Sequence, residues 1–345
     1  MKIKNQILSF VTILIVALVT FSCTNDEPKE VTPLSSIVAI AKADPANFSI
    51  LVDALKKTGL DVTLSSPGSY TVFAPTNAVF TAAGITSASI NAMVAPADNT
   101  AIANLKLVLQ NHVIGIGTRS ADLVAGGTFK TFAFYKSTAT ATSGANLNLF
   151  ISKVGNDVVL NAGASNGGAK ITTAGTEASN GIVYAIDGVL KLPTIVNQIV
   201  SNPSLSSLLG VVTSTPQASV LTVLNAATAV APVTVYAPNN DAFTAATATG
   251  GYLVGKSNAQ VTNILRYHLE NGNKTASLAT SFTSSTATAD VSVTTLFTPN
   301  KFTILLGTVK IKDIVGTSNG TIKTINIQGT NGVIQVIDKV LQPFL

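Results

Sequence analysis

The stretch T-V-F-A-P-T-N at residues 71–77 is the clearest indication of the fold. It recurs, with small changes, as T-V-Y-A-P-N-N at residues 234–240. Each copy is a run of β-branched and aromatic residues that ends at a proline, which predicts a buried strand followed by a turn. A duplicated stretch of this kind indicates that a whole structural unit occurs twice.

Two further pairs of stretches extend the duplication along the chain. L-Q-N-H-V at 109–113 returns as L-R-Y-H-L at 265–269, and N-G-I-V-Y-A-I-D-G-V-L at 180–190 returns as N-G-V-I-Q-V-I-D-K-V-L at 331–341. The three pairs keep their order and nearly constant separations. The chain is therefore predicted to contain two tandem domains of about 150 residues each.

The predicted boundary lies near Pro193, which gives domain 1 at residues 34–193 and domain 2 at residues 194–345. In each copy most helical patterns come first and most strand patterns second, an order typical of the α+β class. Ser35 or Ser36 is predicted to cap a first helix, and a second one begins at Pro45 and ends at Gly59. Later helices are expected at 100–111 and 260–269, with strands at 70–74, 129–135, 147–152, 158–161, 181–190, 290–297, 302–306, 308–312, 321–327 and 332–341.

The composition excludes several classes of protein. Of 345 residues, 46% are hydrophobic and 11% charged, so the chain can bury a core and is not disordered through excess charge. One cysteine cannot form an intramolecular disulfide, and two histidines cannot build a zinc site of three His or of two Cys and two His. The net charge is +5, but the basic residues form no Lys/Arg run, which argues against a nucleic-acid partner. No cofactor, metal or catalytic site is predicted.

Residues 1–22 have the pattern of a signal peptide. Lys2 and Lys4 precede an apolar run at 7–19, which is shorter than the roughly 20 residues of a membrane span. The sequence T-F-S-C that follows resembles a bacterial lipobox, with a threonine where leucine is commonest. We interpret Cys23 as the lipid attachment site; the alternative is an ordinary signal peptide followed by an incidental cysteine.

Residues 23–33 read as a polar, acidic tether. An acidic patch directly after the lipidated cysteine resembles the surface-export signal of Bacteroidetes lipoproteins. We therefore expect a protein of the cell envelope, lipid-anchored to the outer membrane and surface-exposed, with the periplasmic face as the alternative. No later segment approaches 18 uninterrupted apolar residues, so the lipid is expected to be the only attachment to the membrane.

The repeated blocks, taken together, resemble the fasciclin-type adhesion domain over residues 34–345. The family pattern T-V-F-A-P-T-(N/D)-x-A-F is matched at 71–80 and 234–243, and both copies match the closing N-G strand. The Tyr-His pair of the family is matched by Tyr267 and His268. Domain 1 departs from the pattern with Ala78 in place of an acidic residue and Asn111 in place of the tyrosine.

The resemblance implies that each domain is a β-wedge with helices packed along it. It also implies a non-catalytic interaction module that binds proteins or glycans of the extracellular matrix or of neighbouring cells. Members of the family bind such varied partners that membership alone names no ligand.

Several polar side chains could belong to a site, and each also has a structural interpretation. His112 and His268 could be general bases or metal ligands, but they fall on the buried helix face, where they can satisfy backbone carbonyls. Asp187 and Asp338 could bind a cation or a strand-end N–H, and Asp241 could cap a helix or face its dipole. The motif residues that we interpret as structural are Thr71, Phe73, Pro75, Phe80, His112, Asp187, Thr234, Tyr236, Pro238, Asp241, Phe243, Tyr267, His268 and Asp338.

Three functions compete at this point. The favoured one is a surface-anchored adhesion or matrix-binding lipoprotein, whose contact surfaces are expected on the polar loops 137–146, 162–180 and 281–290. The alternative is a glycan or small-ligand capture lipoprotein of the cell envelope, which requires a concave, aromatic-lined pocket. The third is a hydrolase, which would need a nucleophile paired with one of the two histidines.

Overall fold

A computed structural model describes residues 33–119, 122–123, 126–136, 144–228, 230–275, 290–305, 310–316 and 319–345. Ser35 to Leu345 form one compact unit, so both domains belong to the same body. The signal peptide, Cys23 and nearly all of the tether lie outside the described residues. So do most of the loops 137–146 and 281–290.

Domain 1 begins with helices and continues into strands. Among the described residues its helices are α1 (Ile37–Ala43), α2 (Pro45–Thr58), α3 (Leu60–Ser65), α4 (Asn77–Ala82), α5 (Ser87–Ala92) and α6 (Asn99–Asn111), with a 3₁₀ turn at Ala164–Asn166. Its strands are β1 (Tyr70–Pro75), β2 (Val113–Ile114), β3 (Gly127–Lys136), β4 (Gly144–Val154), β5 (Asp157–Leu160), β6 (Ala169–Lys170), β7 (Thr176–Ala178) and β8 (Gly181–Ile186).

Domain 2 repeats this order. Its helices are α7 (Ile195–Ser201), α8 (Ser206–Val212), α9 (Ala218–Ala226), α10 (Asn240–Thr247) and α11 (Asn258–Tyr267), with 3₁₀ turns at Pro203–Leu205 and Thr215–Gln217. Its strands are β9 (Val233–Pro238), β10 (Leu269–Asn271), β11 (Val291–Thr294), β12 (Lys301–Ile304), β13 (Lys310–Lys312), β14 (Asn319–Gly329) and β15 (Gly332–Ile337).

Each sheet has one parallel pair of strands, next to one edge of the strand order, and curls back on itself. In domain 1 the described strands are ordered β6-β5-β4-β3-β2-β1-β8-β7, with β1 parallel to β8. In domain 2 the order is β10-β9-β15-β14-β13-β12-β11, with β9 parallel to β15. Isolated bridges, Ile171 to Ile186 and Glu270 to Thr295, draw the distant strands together. The α+β class predicted from the sequence is confirmed.

The duplicated stretches form the centre of each core. Because side chains alternate across a strand, Val72 and Ala74 pack against the helices, while Phe73 between them packs inside the curl of the sheet. In domain 2, Val235 contacts the helices and Tyr236 lies inside the curl. The sheet thus separates a helix-side core from a strand-side core in each domain.

Local sequence explains where several helices begin and end. The Ser36 hydroxyl accepts from the Ala39 N–H and caps α1. Pro45 lies in the first turn of α2, and Gly59 ends this helix at a φ of 71°, a conformation that glycine adopts without strain. In α11, Ser257 and Gln260 form a capping box.

Several predicted elements have other bounds in the structure; the strand expected at 332–341, for example, ends at Ile337. The strand expected at 181–190 ends at Ile186, because the next residue, Asp187, bonds to Lys170 through both its N–H and its side chain. The helix expected at 260–269 runs from Asn258 to Tyr267, since the Ser257 cap begins it earlier. Leu269 instead pairs with Val235 in the sheet.

Buried amide side chains join the two domains. The Gln328 N–H donates to Oδ1 of Asn148 at 2.7 Å, and Nε2 of Gln198 donates to the Asn148 carbonyl at 2.6 Å. At a neighbouring contact, Nδ2 of Asn197 donates to Oδ1 of Asn166 at 2.8 Å. Hydrogen bonds between buried polar groups fix geometry, because breaking one leaves an unpaired group away from water.

Candidate functional site

An open groove with a volume of about 520 Å³ lies between α4 and the segment that follows β8. The helix side is built from small apolar side chains, and the opposite side combines glycine backbone with two charged residues. We call this groove 1; its lining includes Ala78, Ala82, Gly167, Gly168, Asp187 and Lys191. The glycines come from the loop 162–180, one of the surfaces expected to make contacts.

Domain 2 has a groove at the equivalent place, between α10 and the segment that follows β15. We call it groove 2; its volume is about 290 Å³ and its lining includes Ala242, Ala245, Tyr252, Asp338, Lys339 and Gln342. As in groove 1, alanines of the helix face a segment that begins with an aspartate. The two domains therefore carry the same concave site with different walls.

Each groove helix is anchored by an asparagine in its first turn. Oδ1 of Asn77 accepts from the Ile50 N–H at 2.9 Å, and its Nδ2 donates to the Pro45 carbonyl at 3.0 Å. Asn240 repeats both bonds, accepting from the Ser207 N–H and donating to the Pro203 carbonyl. These bonds fix the helical side of the groove to the helices that precede the first strand.

The opposite side of each groove begins at an aspartate whose carboxylate bonds to backbone. Oδ1 of Asp187 accepts from the Lys170 N–H at 2.6 Å, and Oδ1 of Asp338 accepts from the Thr321 N–H at 2.6 Å. Oδ2 of Asp338 also lies 3.1 Å from Nζ of Lys323. Desolvation raises the pKa of Asp338, but the Thr321 N–H and Lys323 outweigh it and leave this pKa below its usual value.

The same segment is held three residues later by a histidine. Nδ1 of His112 donates to the Val108 carbonyl at 2.7 Å, and its Nε2 accepts from the Leu190 N–H at 2.9 Å. Nδ1 carries the proton because a carbonyl can only accept a hydrogen bond. In domain 2, Nδ1 of His268 bonds to the Ile264 carbonyl and Nε2 to the Leu341 N–H, at 2.8 and 2.9 Å.

Burial lowers the pKa of both His112 and His268 to about 4, so both rings are neutral at pH 7. A neutral ring with both nitrogens bonded to backbone has no lone pair left for a metal or a substrate proton. Within the described ranges, no group of three or more His, Cys, Asp or Glu could hold a metal ion. The histidines lie behind the grooves and fix the segments that line them.

The motif threonines close a backbone turn in each domain. The Thr71 hydroxyl donates to the Ile116 carbonyl at 2.6 Å and accepts from the Thr118 N–H at 2.8 Å. Thr234 makes the same two bonds, to the Gly272 carbonyl and from the Lys274 N–H. Both threonines are fully buried.

The remaining motif residues lie in the core or at the ends of strands. Pro75 and Pro238 are the last residues of β1 and β9. The motif aromatics are buried, and they are Phe73, Phe80, Tyr236, Phe243 and Tyr267. The cap of α10 is Asn239, whose Oδ1 accepts from the Ala242 N–H, while Asp241 is exposed in the first turn. Asp241 thus lies in the first turn, where its charge is favourable to the helix dipole, and the cap is Asn239, two residues earlier.

Sequence reasoning assigned no role to the asparagine that opens the closing strand. Oδ1 of Asn180 accepts from the Ile37 N–H at 3.0 Å, and its Nδ2 donates to the Leu64 carbonyl at 2.7 Å. Asn331 repeats this with the Ile195 N–H and the Leu224 carbonyl. The duplicated N-G dipeptide was the sequence feature that pointed to these asparagines. The residues to which they bond lie over a hundred positions away in the chain.

Sequence profiles and known structures identify relatives of this chain. The Fasciclin domain profile matches residues 46–193 and 203–343. Protein sll1483 from Synechocystis sp. is 29% identical over 175 residues, which cover 48% of this chain and 84% of that protein. A FAS1 domain pair from the insect cell adhesion molecule Fasciclin I superposes with a TM-score of 0.48 at 17% identity, covering 88% of this chain and 95% of the pair.

The helices of the described residues are short compared with a membrane span. No single helix there is long and apolar enough to cross a membrane, and only the bent pair Pro203–Val212 and Thr215–Ala226, at 81°, meets the requirement by length and composition. The apolar run at 7–19 lies outside the part of the chain that the structure describes.

Proposed function

The chain belongs to the Fasciclin domain family, and from this premise we propose that it is a surface-anchored adhesion or extracellular-matrix-binding lipoprotein. Fasciclin domains are non-catalytic modules of adhesion-type interaction. In this proposal Cys23 carries the lipid, residues 23–33 are the tether, and the two domains bind proteins or glycans at the cell surface.

The observation that carries the proposal is the pair of equivalent grooves in one compact body. Grooves 1 and 2 occupy the same place in their domains, and buried bonds such as Gln328 N–H to Asn148 Oδ1 join the domains. Two weak sites at a fixed separation bind a repetitive surface much more tightly than one site, by about 10²- to 10⁴-fold where both engage. Matrix polymers and neighbouring cells offer such repeated surfaces.

A test uses cells that display the full chain and measures their retention on extracellular matrix under flow. Ala82→Trp fills groove 1 and Ala245→Trp fills groove 2, since both alanines are exposed and line the grooves. Each single variant is expected to reduce apparent affinity by about 10²-fold or more, because it removes bivalent engagement.

Thr81→Trp and Thr244→Trp are the matched controls, because these exposed residues lie on the same helices and do not line the grooves. They are expected to leave retention unchanged. If the double variant Ala82→Trp/Ala245→Trp is retained like the parent chain, the grooves are not the adhesive sites.

The lipid anchor has its own test. Cys23→Ser should abolish labelling by radioactive palmitate and release the chain from the membrane fraction, and surface proteolysis of intact cells should reach the parent chain. A Cys23→Ser chain that still partitions with the membrane contradicts the anchor. Protection of the parent chain from external protease would favour the periplasmic face.

One observation favours the alternative of glycan capture. Groove 2 has an aromatic side chain, Tyr252, in its wall, as a saccharide site requires, whereas the lining of groove 1 contains none. The two functions are compatible where the adhesive surface is itself a polysaccharide.

A further inference from the structure

We propose that groove 2 binds a carboxylated saccharide, of the uronic acid class, and that groove 1 does not. This inference rests on the proposed function, in which the grooves are the binding sites, and it names the ligand class for one of them. Four side chains of domain 2 carry it: Tyr252, Lys256, Lys339 and Gln342.

The aromatic wall is the first feature. Tyr252 is half-buried, and its hydroxyl donates to the Pro343 carbonyl at 3.3 Å, which orients the ring. Burial, and then the charge of Asp313, raise the pKa of Tyr252, so the phenol stays protonated and keeps this bond. A held aromatic ring offers an apolar face on which the C–H groups of a sugar ring can pack.

The charge of the groove is the second feature. Nζ of Lys256 lies 4.9 Å from the centroid of the Tyr252 ring, and the half-buried Lys339 lines the groove itself. Among the ion pairs formed within the described residues, neither lysine takes part. Lys339 is the cation in the groove lining, whereas Lys256 lies outside that lining and adds positive charge over one face of the Tyr252 ring; both charges suit a ligand that carries negative charge.

The nearby carboxylates are already occupied. Asp338 accepts from the Thr321 N–H and pairs with Lys323, and Asp313 accepts from the N–H groups of Gly316 and Gln342. Each of these oxygens already has a donor partner, which reduces its capacity to accept from sugar hydroxyls. The cationic donor in the lining is the Lys339 ammonium, and the Gln342 side chain adds an N–H donor beside its own acceptor oxygen, so both side chains can bind a carboxylate.

The size of groove 2 limits the ligand. Its volume of about 290 Å³ is near the lower end of small-molecule sites, which begin at roughly 300 Å³, and suits one or two sugar rings. In groove 1 the equivalent of Lys339 is Gly188 and the equivalent of Gln342 is Lys191, with no aromatic side chain in the lining. The two grooves should therefore differ in ligand, and bivalent engagement then requires a surface that repeats both ligands.

The experiment measures binding to the full chain, purified in detergent micelles, by isothermal titration. The probes are trigalacturonate and its methyl ester, which share a backbone and differ in charge. Trigalacturonate is expected to bind at least about tenfold more tightly than the ester, the ratio that one ion pair of about 1.4 kcal/mol provides. Equal binding of the two probes, or binding of neither, overturns the inference.

Variants locate the site. Tyr252→Ala and Lys339→Met should each weaken trigalacturonate binding about tenfold, while Tyr252→Phe, which keeps the ring, should change it less than about threefold. Lys191→Met in groove 1 is the matched control and should have no effect. Thermal unfolding checks that each variant is folded, and Lys339→Met tests the site even where Tyr252→Ala is unstable.

Full binding by Lys339→Met, or loss of binding in Lys191→Met alone, contradicts the assignment to groove 2. The retention assay on matrix separates this outcome from the proposed function. If retention requires the grooves but no uronide binds, the function stands and the ligand class is wrong. If uronide binds but cells are not retained, groove 2 captures saccharides without adhesion.

Discussion

Domain 1 and domain 2 share the hydrogen bonds that hold their backbone segments together, which we call the frame of each domain. Their strand-side cores contain different side chains. The threonine, histidine, asparagine and aspartate bonds to backbone occur in both copies at matching positions. Each of them joins segments that are distant in the chain, so none can change without moving a second segment.

The core at the parallel strand pair shows the contrast. In domain 1, Phe73 lies opposite Tyr184, whose hydroxyl donates to the Thr118 carbonyl at 2.9 Å. In domain 2 the aromatic hydroxyl is on the other strand, because Tyr236 lies opposite Gln335. Nε2 of Gln335 donates to the Lys274 carbonyl at 3.0 Å, the position equivalent to Thr118. The carbonyl is satisfied in both domains by different residues.

The hydroxyl of Tyr236 needs its own partner, and the next strand supplies it. Tyr236 donates to Oε2 of Glu270 at 3.0 Å, whereas the equivalent positions in domain 1 are Phe73 and Ile114. Desolvation raises the pKa of Glu270, opposed by the Tyr236 hydroxyl and then by Lys274. The hydrogen bonds from side chains to the backbone are therefore the same, one by one, in both domains. The core side chains differ between the domains, and they differ as sets in which each polar group has a partner.

The largest expected effect tests the shared frame at the glycine of the closing strand. Gly181 and Gly332 have φ values of 153° and 151°. A Cβ at Gly181 would overlap the carbonyl oxygen of Tyr70 in β1, and a Cβ at Gly332 would overlap that of Val233 in β9. Gly181→Ala and Gly332→Ala should each lower the free energy of unfolding by about 4 kcal/mol or more, measured by urea denaturation.

Gly210→Ala is the matched control, because Gly210 is exposed within α8 and a Cβ there meets nothing within 4 Å. It should raise the free energy of unfolding by about 0.5–1 kcal/mol, since alanine loses less backbone entropy than glycine. A loss below about 1 kcal/mol in both closing-strand variants would mean that the frame tolerates a side chain there.

The next effect is a pH dependence that both domains should share. The pKa of His112 and of His268 is about 4 when folded and about 6.5 when unfolded, so the unfolded chain takes up protons first as the pH falls. The contribution of the two histidines to the free energy of unfolding is therefore fully present above pH 6.5 and is lost as the pH falls to 4. The loss is about 2 kcal/mol per histidine between pH 7 and pH 5.

Urea unfolding of the parent chain and of His112→Gln/His268→Gln at both pH values checks this. The double variant should be less stable at pH 7 and lose about 4 kcal/mol less than the parent chain on acidification. Glu270 opposes part of the slope in both proteins, because its raised folded pKa favours folding as the pH falls. Equal acid losses in the two proteins would contradict the assigned histidine bonds.

The smallest effect exchanges the cores of the two domains. Tyr236→Phe leaves the buried Glu270 carboxylate without its donor and should cost about 2 kcal/mol. Tyr236→Phe/Glu270→Ile introduces the domain 1 pair and should recover most of this loss, since no buried polar group is then unpaired. Urea denaturation measures both.

Glu270→Ile alone provides the third corner of the cycle, leaving the Tyr236 hydroxyl unpaired. The two single losses should sum to more than the loss of the double variant. Additive losses would show that Tyr236 and Glu270 are independent and that the two domains differ by more than a matched pair.

The duplication, the fold class and most of the helices and strands could be predicted from the order of the residues. The two copies of T-V-(F/Y)-A-P predicted β1 and β9, and caps such as Ser36 and Gly59 marked helix ends. These features are local, because a strand or helix end is specified by residues within a few positions of it. A bond from Asp187 to a strand-end N–H was among the sequence interpretations, but its partner Lys170 could not be named, since it is 17 residues away.

The position of the grooves depends on tertiary contacts alone. The grooves bring α4 or α10 against a segment about a hundred residues later, and no sequence pattern encodes that approach. The amides that join the domains, Asn148, Gln198 and Gln328, are ordinary polar residues in the sequence and become buried only when two surfaces meet. Periodicity and capping depend on neighbours along the chain, whereas burial and pairing depend on neighbours in space.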